Sequence, residues 1–314
     1  MKQVRNLITF PAVLLLATGI ALAQNNTQPD QNAKPAAQGQ QQPAAQGQQQ
    51  PAAGQAAAVP PGKRQPQAKS KEEFAAYQTI TQATDPAAKE KAADEFVAKY
   101  PDSELKGTVY RLAMGAYQQA GNEEKALETG RKTLSYDPDD SIALVSVAQL
   151  IASRTRETDL DKDQRLAEAT KDANHALETV GDMPVPATLP PEQVEKIKNE
   201  MRGTAYSVLA MAAYTNKNYP QAVDNFKKSI DVTKGDADPV IFLRYTLALD
   251  KAGRYPEALQ AANQTLALPG GVPQVTQLAT QEKNRLEKLV NAPKPAAGQA
   301  PAPASPQPET VQPH

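Results

Sequence analysis

The chain has 314 residues, no cysteine, two histidines and a formal net charge of −1. Without a thiol there is no disulfide, thiolate metal site, cysteine nucleophile or acylated N-terminal cysteine, so packing alone must hold any fold. A balance this close to neutral favours neither nucleic acid nor an anionic membrane surface as partner.

The first 23 residues carry Lys2 and Arg5, then an apolar run from Leu7 through Leu16 towards Ala23, closing on Ala21-Leu22-Ala23 before polar Gln24. This is the layout of a secretory signal peptide with predicted cleavage after Ala23. An uncleaved anchor is the competing reading, but the run is short for a span and Pro11 and Gly19 interrupt it. Loss of the two cations Lys2 and Arg5 takes the net charge from −1 to −3. A mature protein outside the cytoplasm, periplasmic or secreted, is expected.

Residues 24–70 hold one large aliphatic residue, Val59, and the octapeptide at 35–42 is repeated at 43–50. Such a Pro/Gln/Ala stretch buries too little apolar surface to offset its ordering entropy, which predicts a disordered linker. The tail 292–314 has the same character. Between them, 71–291 is long enough for one elongated domain.

Within 71–291 one phrase is written twice. Tyr117-Gln118-Gln119-Ala120-Gly121 leads to Ala126, Leu127, Leu134 and Pro138, and Leu249-Asp250-Lys251-Ala252-Gly253 leads to Ala258, Leu259, Leu266 and Pro269. In the first copy Tyr110, Ala113, Met114 and Tyr117 form one helical stripe. Gly121 sits where that helix must stop, because glycine takes the left-handed cap conformation without a Cβ penalty. Ala126 lets a second helix approach closely, Leu127 and Leu134 continue its expected buried face, and Pro138 ends it. The second copy starts at Asp238-Pro239, a cap followed by proline at the first helical position. Phe242, Tyr255 and Leu266 fall at matching offsets.

Weaker copies fill the rest. Residues 72–105 carry Phe74, Tyr77, an Asp85-Pro86 helix start, Ala92, Phe96 and Tyr100-Pro101. Residues 141–181 carry Leu144, Val147, Ala148 and Ile151, then Ala169, Ala173, Ala176 and Leu177, with extra residues at 155–163 expected in a longer turn. Residues 203–236 carry Tyr206, Leu209, Ala210 and Tyr214, then Tyr219, Ala222, Phe226 and Ile230, with Lys217 where glycine is usual. The Pro-rich stretch 181–191 is read as a break between three repeats and two. A helix at 275–290, with Leu278, Leu286 and Leu289 apolar, reads as the C-terminal cap.

The early aromatic, the glycine turn, the alanine of the second helix and the closing proline resemble a tetratricopeptide repeat. The resemblance spans about 220 residues and implies an all-α, right-handed solenoid of about five helix-turn-helix repeats plus the cap. It further implies that the first helices of the repeats line a concave groove for a protein or peptide partner. Carried over by position, that groove holds Arg111, Gln118, Gln149, Ser153, Met211, Tyr214, Arg244 and Lys251. Family members that grip a terminal carboxylate need a dense basic set, whereas Gly115 and Leu247 stand here at such positions, so no clamp of that kind is expected. Inter-repeat packing is the competing role for Met211 and Tyr214.

Catalytic chemistry finds little support. There is no Gly-x-Ser-x-Gly elbow, no phosphate-cradling glycine loop and no His-Glu-x-x-His. His175 is read as a helix-surface or packing residue, and His314 ends the tail. Asp159-Leu160-Asp161-Lys162-Asp163 starts like a calcium loop, but Gln164 and Thr170 stand where glycine and a bidentate glutamate belong. Asp163 is instead expected to cap a helix. No cofactor and no metal are predicted. The expected function is a non-catalytic exported interaction scaffold, in cell-envelope organisation of a bacterium. Two alternatives are an accessory or enzymatic role at 181–191, with Asp182 and Glu192 the nearby carboxylates, and self-association between chains.

Overall fold

The computed structural model describes residues 64–186, 188–233 and 238–292. The proposed signal peptide, most of the linker and the C-terminal tail lie outside these residues. Eleven α-helices are described: α1 Lys71–Gln82, α2 Pro86–Lys99, α3 Lys106–Gln119, α4 Glu123–Tyr136, α5 Ser141–Arg154, α6 Lys162–Thr179, α7 Pro191–Thr215, α8 Tyr219–Thr233, α9 Pro239–Lys251, α10 Tyr255–Ala267 and α11 Pro273–Val290. A 3-10 turn, Val180–Asp182, follows α6. There is no strand among the described residues.

Local chemistry starts and stops these helices. Ser70, Asp85, Asn122, Asp140 and Asp238 each accept a backbone N–H through the side chain at the start of α1, α2, α4, α5 and α9. Each satisfies a donor the first turn would otherwise leave unpaired. Three turns between paired helices share one bonding pattern. Asn122 N donates to Tyr117 O, Asn218 N to Ala213 O and Arg254 N to Leu249 O, while Gly121, Lys217 and Gly253 donate to the residue three back. The residue at the corner has φ 71° at Gly121, 74° at Gly253 and 61° at Lys217. The two glycines do what the sequence requires of them. Lys217 takes the same left-handed conformation against its steric preference, and its ammonium pairs with Glu157 in the loop after α5.

Each helix packs on the next in chain order, and α1 with α3, α5 with α7 and α9 with α11 also touch. Even-numbered helices meet one another through long side chains instead, as in Lys132 with Glu90 and Arg131 with Glu168, both at 2.8 Å. The helices thus stack in chain order as a helical solenoid, with the odd-numbered ones in one layer, called the inner layer below, and the even-numbered ones in the other, called the outer layer. Small residues make the close crossings: Ala126, Ala222 and Ala258 are fully buried, as are Ala169 and Ala173 on α6.

Several expectations need correction. The ordered domain does not begin at residue 71. Ala68 is buried against Tyr77, Ile80 and Phe96, Arg64 pairs with Glu104 at 2.8 Å, and Lys69 N–H donates to the buried Glu73 carboxylate at 2.7 Å. The fourth repeat does not open near Gly203, because α7 runs for 25 residues from Pro191. Nor is 181–191 a break. Met183 is buried in one cluster with Val147, Ala176, Met201 and Val208, and Lys198 Nζ donates to Gly181 O at 2.8 Å, capping the end of the 3-10 turn. The core crosses that stretch without interruption.

On α4 the buried face is Ala126, Thr129, Gly130 and Thr133, while Leu127 and Leu134 are only partly buried at its margin. The threonine hydroxyls return to their own helix, Thr129 to Lys125 O at 2.7 Å and Thr133 to Thr129 O at 3.1 Å. Their methyl groups can then pack without leaving an unpaired donor. Asp163 does not cap α6; Asp161 occupies that position, without a side-chain bond. Leu289 of the terminal helix is exposed.

Candidate interaction groove

All eight residues expected to line the groove lie on the inner-layer helices α3, α5, α7 and α9, and none is fully buried. They differ in what already occupies them. Arg111 Nε lies 2.9 Å from Asp140 Oδ2, both side chains nearly covered, and Asp140 also accepts from Ala143 N–H at 2.9 Å. Arg111 thus braces α3 against the start of α5 rather than standing free. Ser153 Oγ donates to Leu150 O, back into its own helix, at 3.1 Å. Gln118 and Gln149 are half-buried and make no side-chain hydrogen bond among the described residues.

Towards α7 and α9 the groove changes. Arg244 Nη1 donates to Met211 Sδ at 3.1 Å, a weak acceptor for so strong a donor. Burial pushes the Arg244 guanidinium below the usual arginine range, with the Asp238 carboxylate acting against it. Asp238 itself is raised by burial, opposed by its bond from Val240 N–H and by Arg244. Neither charge is near enough to compensate the other, and no ion pair joins them. Tyr214 sets its ring edge-on to Tyr219 at 5.4 Å, and its buried hydroxyl has no hydrogen-bond partner among the described residues. Burial, then the field of Tyr219 and Asp250, holds that hydroxyl protonated well above the ordinary tyrosine range. Lys251 is exposed at the end of α9.

A second constellation went unseen in the sequence. On α2, nearly buried Glu90 accepts from Tyr117 Oη at 2.7 Å and Lys132 Nζ at 2.8 Å, with Lys125 Nζ 3.5 Å away. Beside it Tyr110 Oη donates to Asp94 Oδ1 at 2.7 Å, and Tyr110 stacks on Tyr136 at 5.7 Å. Burial pushes the Glu90 carboxyl up, but the bonds from Lys132 and Tyr117 outweigh it and hold the pKa below the usual range. Tyr117 is in turn pushed up to about 12, by burial and by its bond to Glu90. Each of these carboxylates and hydroxyls already has a partner, so the cluster ties α2, α3 and α4 together. Its partners stand 27 and 42 residues from Glu90, beyond any helical periodicity.

Other expected chemistry sits as follows. His175 Nε2 is 2.9 Å from Asp139 and Nδ1 3.4 Å from Glu178 on the outer layer. Among the described residues no group of three His, Asp or Glu is arranged to hold a metal ion, and no helix is long and apolar enough to cross a membrane. Asp182 and Glu192 are both exposed.

No family model matches this sequence, and no curated protein matches it. Among solved structures, the "Assembly Chaperone of RpL4 (Acl4)", residues 1–338, is similar over 70% of this chain and 97% of that one, with 12% identity and a TM-score of 0.39.

Proposed function

We propose that this chain is a non-catalytic interaction scaffold of the tetratricopeptide type, which holds a protein or peptide partner along the inner face of α3, α5, α7 and α9. The observation that carries this reading is the row of polar and polarisable side chains on that face, half-buried except for exposed Lys251. Gln118, Gln149, Met211, Arg244 and Lys251 are fixed on rigid helices with hydrogen-bonding capacity left over. A surface held in place before binding loses little entropy when a segment docks on it. Arginine, tyrosine and methionine are side chains from which interfaces draw much of their contact energy and adaptability.

The location belongs to the same proposal. The signal-peptide pattern at 1–23 directs export, and the Pro/Gln/Ala stretch that follows tethers the helical domain at a distance in the cell envelope. Amino-terminal sequencing of the protein from its native host is expected to start at Gln24; a start at Met1 removes the cleaved signal peptide and leaves the uncleaved anchor. The groove is tested by placing a photo-crosslinking residue at Gln149 or Met211 on the inner layer, and at Lys171 or Asp224 on the outer layer. The expected result is one discrete adduct from the inner positions only. Equal labelling from both layers, or none from either, overturns the groove.

A further inference from the structure

We infer that the groove between α7 and α9 is built to take an acidic side chain of an extended partner segment, with Arg244 as its receptor. This deepens the scaffold reading and rests on it.

Among the described residues most arginines are paired. Each other half-buried arginine has a carboxylate within 4 Å: Arg111 with Asp140, Arg154 with Glu123, Arg165 with Asp159 and Arg202 with Glu195. Among the described residues Arg244 has none, and its side chain bonds there only to the Met211 thioether. A guanidinium taken this far out of water without a counter-charge is costly, and such groups otherwise occur paired or holding a ligand. Its Nε and Nη2 make no bond among the described residues, yet neither is sealed from solvent. Two adjacent donors on one edge of the planar fork are thus left without partners, in a geometry that can receive both oxygens of a carboxylate.

The surroundings select the charge and shape of the occupant. Asp238 lies close enough to act on Arg244 electrostatically but too far to pair, so it disfavours a dianion such as a phosphate more than a single carboxylate. Ile241 and Leu247, three residues to either side of Arg244 on the same helix, are half-buried, which favours apolar neighbours in the partner. Lys251 stands seven residues on, two turns along the same face, unpaired and exposed. Seven helical residues rise about 10 Å, about one three-residue turn of a polyproline-II segment, which brings positions i and i+3 to the same face. The preferred segment therefore carries two acidic residues three apart, with apolar residues between them.

A random peptide library displayed on phage, panned against the full chain and against its Arg244→Met variant, tests this. Enriched peptides on the natural chain are expected to show acidic pairs at that spacing. Their synthetic copies should bind the variant about ten- to a hundredfold more weakly, the loss of a charge-assisted hydrogen-bonded pair. Arg244→Met keeps the aliphatic stem and removes the uncompensated charge, so its unfolding midpoint should equal or exceed that of the natural chain. Enrichment without acidic residues, equal binding to both chains, or no enrichment overturns the assignment. So does a lowered midpoint, which would make Arg244 a structural group. If the inner-layer crosslinks persist unchanged in Arg244→Met, the groove stands and only the carboxylate receptor falls.

Discussion

Glu90 shows how a single side chain acquires a role that its sequence neighbourhood does not announce. It sits among Lys91, Asp94 and Glu95 on α2, and α2 has the look of a solvated helix. In the fold it becomes the acceptor for two hydrogen bonds from α3 and α4. Because its folded pKa lies below the unfolded one, it stabilises the protein above about pH 4.5, and that contribution is lost as pH falls through the folded value. Glu90→Gln should cost about 2 kcal/mol at pH 7 and progressively less below pH 4.5, as the carboxyl protonates first in the unfolded chain and then, at lower pH, in the folded one. Urea unfolding of both proteins across pH 3 to 7 measures this, and a pH-independent difference would refute it. Lys217 is a second residue-scale case. Replacing it by glycine relieves a left-handed backbone and gives up only an exposed ion pair with Glu157. Lys217→Gly should raise the unfolding midpoint by about 2 °C, whereas Gly253→Ala, with open space around the added methyl, should lower it by a similar amount through φ alone.

At the scale of elements, α4 is where a pattern of apolar residues misleads. Leucine spacing points to Leu127 and Leu134 as the buried face, yet the crossing with α3 and α5 is made by Ala126, Thr129, Gly130 and Thr133. The signal that was present is Gly130 itself, a helix-interior glycine with no turn to serve, which marks close approach. A Cβ there would stand 2.6 Å from Val147 Cγ2 and 3.0 Å from Met114 Sδ. Gly130→Ala should therefore lower stability by about 1 kcal/mol despite alanine's better helix propensity. In a Val147→Ala background, where the obstructing methyls are gone, the same change should become stabilising. A double-mutant cycle by chemical unfolding reads the reversal; independent, additive effects would show that the crossing is looser than described. The start of α7 escaped notice for a related reason. Pro191 is a legitimate first-turn residue, but a Pro-rich approach and a sparse apolar pattern before Gly203 hide three turns of helix whose burial depends on α6 and Met183.

Over the whole molecule, stability is shared between neighbours in the row, and among the described residues no helix precedes α1 to cover the first unit. The arm 64–70 serves that purpose. Ala68 enters the core of α1 and α2, Ser70 caps α1, and Ser103 and Lys69 both donate to buried Glu73. A chain beginning at residue 71 loses the cap and leaves Glu73 short of a donor. Its unfolding midpoint is expected about 5 °C below that of a chain beginning at 64, and equal midpoints would mean that the arm is passive. The same dependence explains why 181–191 joins the two halves: Lys198 and Met183 close the seam on both sides of the core.

The amino-acid sequence alone determined the parts that rest on short-range chemistry. The two glycine corners, the capped helix starts at Asp85, Asn122, Asp140 and Asp238, and the alanine crossings at Ala126 and Ala258 are each dictated within a few residues. Repeated in order, they leave little choice but a row of helix pairs. Which groove residues remain open was decided only in three dimensions. Arg111 and Arg244 read alike as inner-face arginines, but one meets Asp140 from the next helix and the other meets only a thioether. Whether a charge finds its counter-charge depends on how successive units are set against each other, a relation between residues tens of positions apart that no local pattern encodes.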